Sequence, residues 1–322
     1  MNRLTLSLAL LALAACAQPL ALPKAPVAAG SGITLTTAAV ALNPQDPAQT
    51  RVGDFAYAGG LVITSDQTAR LHGLSDLRIT SDGKMAAISD EGDLLETRLV
   101  LDRAGRLAGL ALGKLAVLTG PDGKPLQGKK EADSEGLAIL ANGDRLVSFE
   151  GLDRILLYPA KGGQPRMVNA PVDAGFPVNG GMEALAADPA VGPDAYVTAG
   201  EDSGETWTCR VSQPCVKGPT LAKPAEFGVV AVTRLAAGNT AWLFRAWDPV
   251  QGSRVTLKIL GPTGSDVARL DLARPLAVDN IEGVTAVPGK NGATRFYLIS
   301  DDNFSKSQKT LLLAFDWTPQ TP

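Results

Sequence analysis

Five stretches of this chain follow one plan, and their spacing constrains the fold more than any other feature. "GLSDLRITSDGKMAAISDEG" (73–92), "DSEGLAILANGDRLVSFEG" (133–151), "GMEALAADPAVGPDAYVTAGED" (181–202) and "NIEGVTAVPGKNGATRFYLISDDN" (280–303) each join two apolar runs through a turn rich in Gly, Asn, Asp or Pro, with acids near the outer ends. A degenerate copy, "VVAVTRLAAGNTAWLFRAWD" (229–248), keeps both runs and carries Arg245 near its end. The corresponding positions Ser75, Glu135, Glu183, Val230 and Glu282 lie 60, 48, 47 and 52 residues apart. Short runs parted by turn clusters read as β-hairpins, and a hairpin recurring about every fifty residues is the pattern of propeller blades. A β-sandwich gives the repeat no reason. The strands around "ITLTTAAVAL" and "FAYAGGLVIT" are expected to join the C-terminal "TLLLAFDW" and complete a sixth blade by ring closure. The favoured reading is therefore all-β, a six-bladed propeller over residues 32–319, with five or seven blades also compatible.

The acids gain meaning from the hairpins. The residue before the first strand and the residue after the second lie at the same end of the ribbon. Ser75 then neighbours Asp90, Glu135 neighbours Glu150, Glu183 neighbours Glu201, and Glu282 neighbours Asp301. In a propeller these ends all face one mouth of the central channel. One such acid has an ordinary explanation in solvation or blade contacts; a set repeated in register points to a site. Crowded carboxylates must hold protons, find cations as partners, or bind an ion. A cage of carboxylate and carbonyl oxygens suits Ca²⁺. Glu135, Glu183 and Glu282 are the expected catalytic acids or bases, and Arg245 the expected clamp for an anionic group. Asp90, Glu91, Glu150, Glu201, Asp301, Asp302 and Asn303 are the expected metal ligands. The glycines after Glu135 and Glu282 allow close backbone approach or a bulge.

The first residues, "MNRLTLSLALLALAACAQPL", read as a targeting segment: Arg3 is followed by an apolar run too short to span a bilayer as a helix. The run ends in Leu13-Ala14-Ala15-Cys16, which resembles the lipobox of bacterial lipoproteins, with a plain secretory signal as the alternative. On that resemblance residues 1–15 are a cleaved signal, Cys16 is lipidated, residues 16–31 are a tether, and the protein is exported and held on a lipid bilayer. Ala17 after the cysteine favours the outer membrane, on the periplasmic side or the surface. Cys209 and Cys215 remain, and an oxidising compartment favours a disulfide between them, closed around a Gln213-Pro214 turn. One histidine, His72, and no further thiol leave zinc undersupplied.

The net charge of −3, without a long basic block, argues against nucleic acid as a partner. No phosphate-binding glycine loop occurs. Serine-hydrolase chemistry is disfavoured, because "HGLSD" lacks the nucleophile elbow and His72 reads as a loop or blade-edge residue.

At "GLSDL…AISDEG", "DSEGLAILANGDRLVSFEG", "MEALA", "FRAWDP" and "NIEGVTAV…FYLISDDNF" the chain resembles the phytase-like family of bacterial exported proteins, named for an esterase-like activity of phytase. The likeness runs over roughly residues 50–316. It implies a β-propeller and hydrolysis of a phosphoester or ester. The sequence departs from the family at Ser75-Asp76, where glycine commonly follows the serine, and at Ala184, where the other copies have glycine. Two functions fit: a Ca²⁺-dependent hydrolase of a small phosphorylated or ester substrate, or a surface-tethered binding propeller with a structural cation.

Overall fold

The computed structural model describes residues 32–171, 174–177 and 179–319. The expected signal and tether, with Cys16, lie outside the described residues. Five antiparallel sheets form around one axis. Blade 1 runs outward through Leu74–Ile79, Lys84–Ser89, Asp93–Leu101 and Gly113–Val117. Blade 2 is Ser134–Ile139, Arg145–Phe149, Arg154–Tyr158 and Arg166–Val168. Blade 3 is Ala184–Ala187, Ala195–Ala199, Thr206–Arg210 and Gln213–Lys217. Blade 4 is Gly228–Arg234, Thr240–Asp248, Gly252–Leu260 and Asp266–Leu272. Blade 5 is Asn280–Pro288, Thr294–Asp301 and Leu311–Trp317, completed by Phe55–Thr64 and Thr36–Ala39 from the N-terminal side. The first strand of each blade contacts its counterparts on both sides, so the inner strands close a ring.

The expected sixth blade is corrected to five. The N-terminal strands do meet "TLLLAFDW", with Leu311 opposite Val62 and Trp317 opposite Phe55. That C-terminal strand, however, is already the third strand of the last repeat. The N-terminal segment has no inner hairpin of its own, so it finishes blade 5. It also pins the seam: Gly32–Ile33 pairs with the outer edge of blade 1, and Thr36–Ala39 with blade 5.

Sequence dictates the inner hairpins directly. In blade 2 the apolar strands are joined by a turn in which Leu140 N–H bonds to Asp144 O at 2.8 Å. Gly143 adopts φ +87° there, a conformation that glycine enters without a Cβ penalty. The alternate apolar residues pack between blades, giving one core cluster at each of the five interfaces. Each fully buried Leu, Ile or Phe contributes about 2 kcal/mol of transfer free energy.

The Cys209–Cys215 disulfide is present, with Cα atoms 4.0 Å apart. Its hairpin turn is corrected to Val211-Ser212. Gln213 and Pro214 belong to the outermost strand of blade 3, an edge where the missing N–H of proline is tolerated.

Candidate functional site: the acidic mouth of the channel

Two rings of side chains are set by backbone register. The first lies on the inner strands, where the pairing slips by one residue in four blades. The slips fall between Leu74 and Asp76, Ser134 and Leu137, Val229 and Ala231, and Ile281 and Gly283. A bulge bends the strand and re-aims a side chain. Ser75, Val230 and Glu282 are the extra residues, and Glu135-Gly136 share that place in blade 2. In blade 3 regular pairing starts at Ala184, just after Glu183. The expected close approach is there: a Cβ on Gly136 would lie 2.4 Å from Glu183 O, and one on Gly283 would lie 2.8 Å from Asp76 Cα.

The second ring is formed by Asp90, Glu150, Glu201, Arg245 and Asp301, on the second strand or just after it, level with the start of the first. Asp90 N–H bonds to Gly73 O at 2.9 Å, Glu150 N–H to Asp133 O at 2.9 Å, and Glu201 N–H to Gly181 O at 3.1 Å. Arg245 pairs with Gly228, and Asp301 with Asn280, at the same register. Arg245 thus stands where the other blades carry an acid.

The side chains meet within a blade and between neighbouring blades. Oxygens of Asp133, Glu135 and Glu150 all lie within 4.8 Å of one another. Lys129 Nζ bridges Asp90 Oδ2 at 3.0 Å and Asp133 Oδ1 at 2.8 Å. Arg245 lies 3.2 Å from Glu201 and 3.2 Å from Glu282, and donates to Asn280 Oδ1 at 2.5 Å. Asn280 Nδ2 donates in turn to Glu282 Oε1 at 2.8 Å. The Nε of Arg245 is buried and has no hydrogen-bond partner among the described residues.

Electrostatics follow from this crowding. Burial, then the charges of Glu282, Asp133 and Glu150, hold Glu135 well above the ordinary carboxyl range. Burial and Glu201 do the same to Glu183, against the pull of Arg245. Glu282 is pushed up to about 8 by burial, with Arg245 opposing and Asp301 and Asp90 adding. Asp301 rises to about 6, chiefly by burial. Burial works against the Arg245 charge, but Glu282, Glu183 and Glu201 outweigh it and hold its pKa above the usual value. Glu282, at about 8, therefore carries a proton at neutral pH, and Glu135 and Glu183 are shifted in the same direction.

Three expected ligands do not join the ring. Glu91 and Asn303 are exposed on their loops. Asp302 is corrected to a loop anchor, because both its oxygens are already engaged. Oδ1 accepts from Gly73 N and Phe304 N, each at 3.2 Å, and Oδ2 accepts from Thr310 Oγ1 at 3.0 Å and contacts His72 Nδ1 at 2.9 Å. That bond to Asp302 raises the His72 pKa. Asp133, Lys129 and Asn280 were not foreseen. Asp133 and Asn280 occupy the position two before Glu135 and Glu282, and their polarity, where the other copies have Gly73, Gly181 and Gly228, was the available signal.

Beneath the mouth a second unforeseen group crosses the channel. Arg78 is buried and donates to Leu77 O at 2.6 Å, Val284 O at 2.8 Å, Val232 O at 3.3 Å and Leu185 O, while pairing with Asp76 at 3.0 Å. Asp76 accepts Leu137 N–H at 2.9 Å and Leu77 N–H at 2.8 Å. One ion pair so ties together the inner strands of all five blades.

Residues 69–213 match the phytase-like family described as "Esterase-like activity of phytase", a shorter span than the dispersed motifs suggested. No curated protein matches the chain. Among solved structures, virginiamycin B lyase from Staphylococcus aureus is similar at 11% identity and TM-score 0.43, covering 88% of this chain and 99% of that one. A protein provisionally called a gluconolactonase is similar at 11% identity and TM-score 0.47, covering 92% and 93%. A streptogramin B lyase gives 13% identity and TM-score 0.41, covering 89% and 88%.

Proposed function

With residues 69–213 matching the phytase-like family as its premise, we propose that the acidic mouth is the site of a cation-dependent hydrolase acting on a phosphoester or ester. The observation that carries this reading is the convergence of Asp133, Glu135 and Glu150 within 4.8 Å. Three hard oxygen donors, one shared face and an excess of acid over base fit Ca²⁺. When bound, such an ion supplies Lewis-acid polarisation and a more acidic water. Asp133, Glu135 and Glu150 would hold it. Glu282, raised to about 8, and Glu183, held above the ordinary carboxyl range by burial and Glu201, are suited to moving a proton at the carboxyl oxygen. Arg245, with its Nε unpaired among the described residues, would hold the anionic group of the substrate. Serine-nucleophile chemistry has no support: Ser75 Oγ donates to Gly73 O at 3.3 Å, and His72 is engaged by Asp302.

The test is hydrolysis of p-nitrophenyl phosphate and inositol hexakisphosphate by the purified protein, with Ca²⁺ and with chelator. Turnover that the chelator abolishes, and that Glu135→Gln lowers about a hundredfold or more, is expected. Absence of turnover with Ca²⁺ bound removes the reading and leaves a binding propeller. We further propose that the chain is exported and anchored to a bilayer through Cys16. Metabolic labelling with palmitate should mark the intact chain and not Cys16→Ser; equal labelling of both would contradict the anchor.

A further inference from the structure

The first interval of the repeat, 60 residues against 47 to 52 in the others, has a structural counterpart. The excess lies between blades 1 and 2, where the chain turns back on itself, with Leu126 N–H bonding to Leu118 O at 3.0 Å. It then forms the short helix Lys129–Ala132. This insertion walls a cavity of about 460 Å³ with Leu126, Gly128, Lys129 and Ala132. Arg70, Asp90 and Glu91 close its blade 1 side, and Phe304 comes over from blade 5. The cavity adjoins the acidic mouth, because Asp90 lines the one and belongs to the other.

Two of its walls are built for a ligand. Phe304 is 45% exposed, yet its backbone is left-handed at φ +52°, directly after Asn303 at φ +47°. Two consecutive non-glycine residues in this region cost free energy and persist only where neighbours over-determine them. Asp302 does so by accepting Phe304 N–H, and His72 backs the ring at 5.4 Å between centroids. An aromatic face thus stands at the lip of a cavity, set there by its backbone and backed by His72. Lys129 brings an ammonium with three donors. One goes to Asp90, Asp133 faces the ammonium as an ion pair at 2.8 Å, and the side chain remains 65% exposed.

We infer that this cavity receives the organic part of the ligand, an apolar or aromatic group, with Phe304 as the stacking surface and Lys129 as a second cation, beside Arg245, for the ligand's phosphate. Arg70 is committed to Asp93 at 2.8 Å and serves as wall. The inference deepens the hydrolytic reading by naming the substrate class, but the binding it asserts stands without turnover.

Calorimetric titration of the intact protein in Ca²⁺ with phenyl phosphate and methyl phosphate tests it. Phenyl phosphate should bind about five- to tenfold more tightly, the range of one aromatic contact. Phe304→Ala should erase that preference and leave methyl phosphate unchanged, while Phe304→Tyr retains it. Lys129→Gln should weaken both ligands about tenfold, as loss of a charge-assisted bond requires. Equal affinities, no binding of either ligand, or a preference that survives Phe304→Ala would overturn the inference. Tight phenyl phosphate binding without hydrolysis upholds the pocket and removes the hydrolase. Turnover of both esters without a phenyl preference does the reverse.

Discussion

The propeller keeps two groups of charge on its axis, and they are built on opposite terms. At the Asp76–Arg78 crossing, one carboxylate meets one guanidinium, and carbonyls or N–H groups from all five blades satisfy both partners. At the mouth, carboxyls from four blades face, among the described residues, the two cations Arg245 and Lys129, and burial raises the pKa of Glu135, Glu183 and Glu282. The first arrangement is complete without a ligand. The second is not, and this difference separates charge that organises the ring from charge that awaits a partner.

The largest expected effect comes from breaking the complete group. Arg78→Met leaves Asp76 buried and unpaired, and should lose about 3–5 kcal/mol in denaturant unfolding. Restoring neutrality with Asp76→Leu in the same chain should recover part of the loss.

At the mouth, removing charge should act in the other direction. Burial and Glu201 keep the Glu183 proton in place on folding, whereas the unfolded chain releases it above the ordinary glutamate pKa. Glu183→Gln should therefore stabilise the cation-free protein at pH 8, raising its melting temperature, with the gain vanishing near pH 4.5. Glu282 gives the accompanying pH profile. Its pKa rises from the ordinary 4.5 to about 8 on folding, so the native state binds more protons than the unfolded one within that window. The stability this contributes is full below pH 4.5 and drains away as pH climbs toward 8. Thermal melts in chelator should show that decline, and Ca²⁺ should flatten it; a pH-independent melting temperature would contradict the charge excess.

The smallest effect should come from a feature outside both groups. Cys209→Ala with Cys215→Ala opens only a six-residue separation and should cost about 2 kcal/mol or less.

How much of this was legible follows from what is local. The inner hairpins and their turns are encoded within about twenty residues each. So is the placement of Arg245 at a position acidic elsewhere. Gly136 and Gly283 mark close approach without naming the blade that approaches. Blade number was not local: it depends on Phe55–Thr64 meeting Leu311–Trp317 across the chain. The Asp76–Arg78 crossing was hidden because "SDLR", alternating charge with leucine, reads as a half-buried strand with one wet face. Only the ring turns that face onto the axis. Asp302 misled for a related reason. Its place in an acidic run suggested a ligand, whereas the loop turns it toward His72 and Thr310.

The central claim is that the two buried charge groups answer to opposite demands, and a paired melt tests it most directly. Asp76→Asn and Glu183→Gln would be compared with the parent protein at pH 8 in chelator. The account predicts a lower melting temperature for the first and a higher one for the second. Two variants that both fall, by similar amounts, would contradict it.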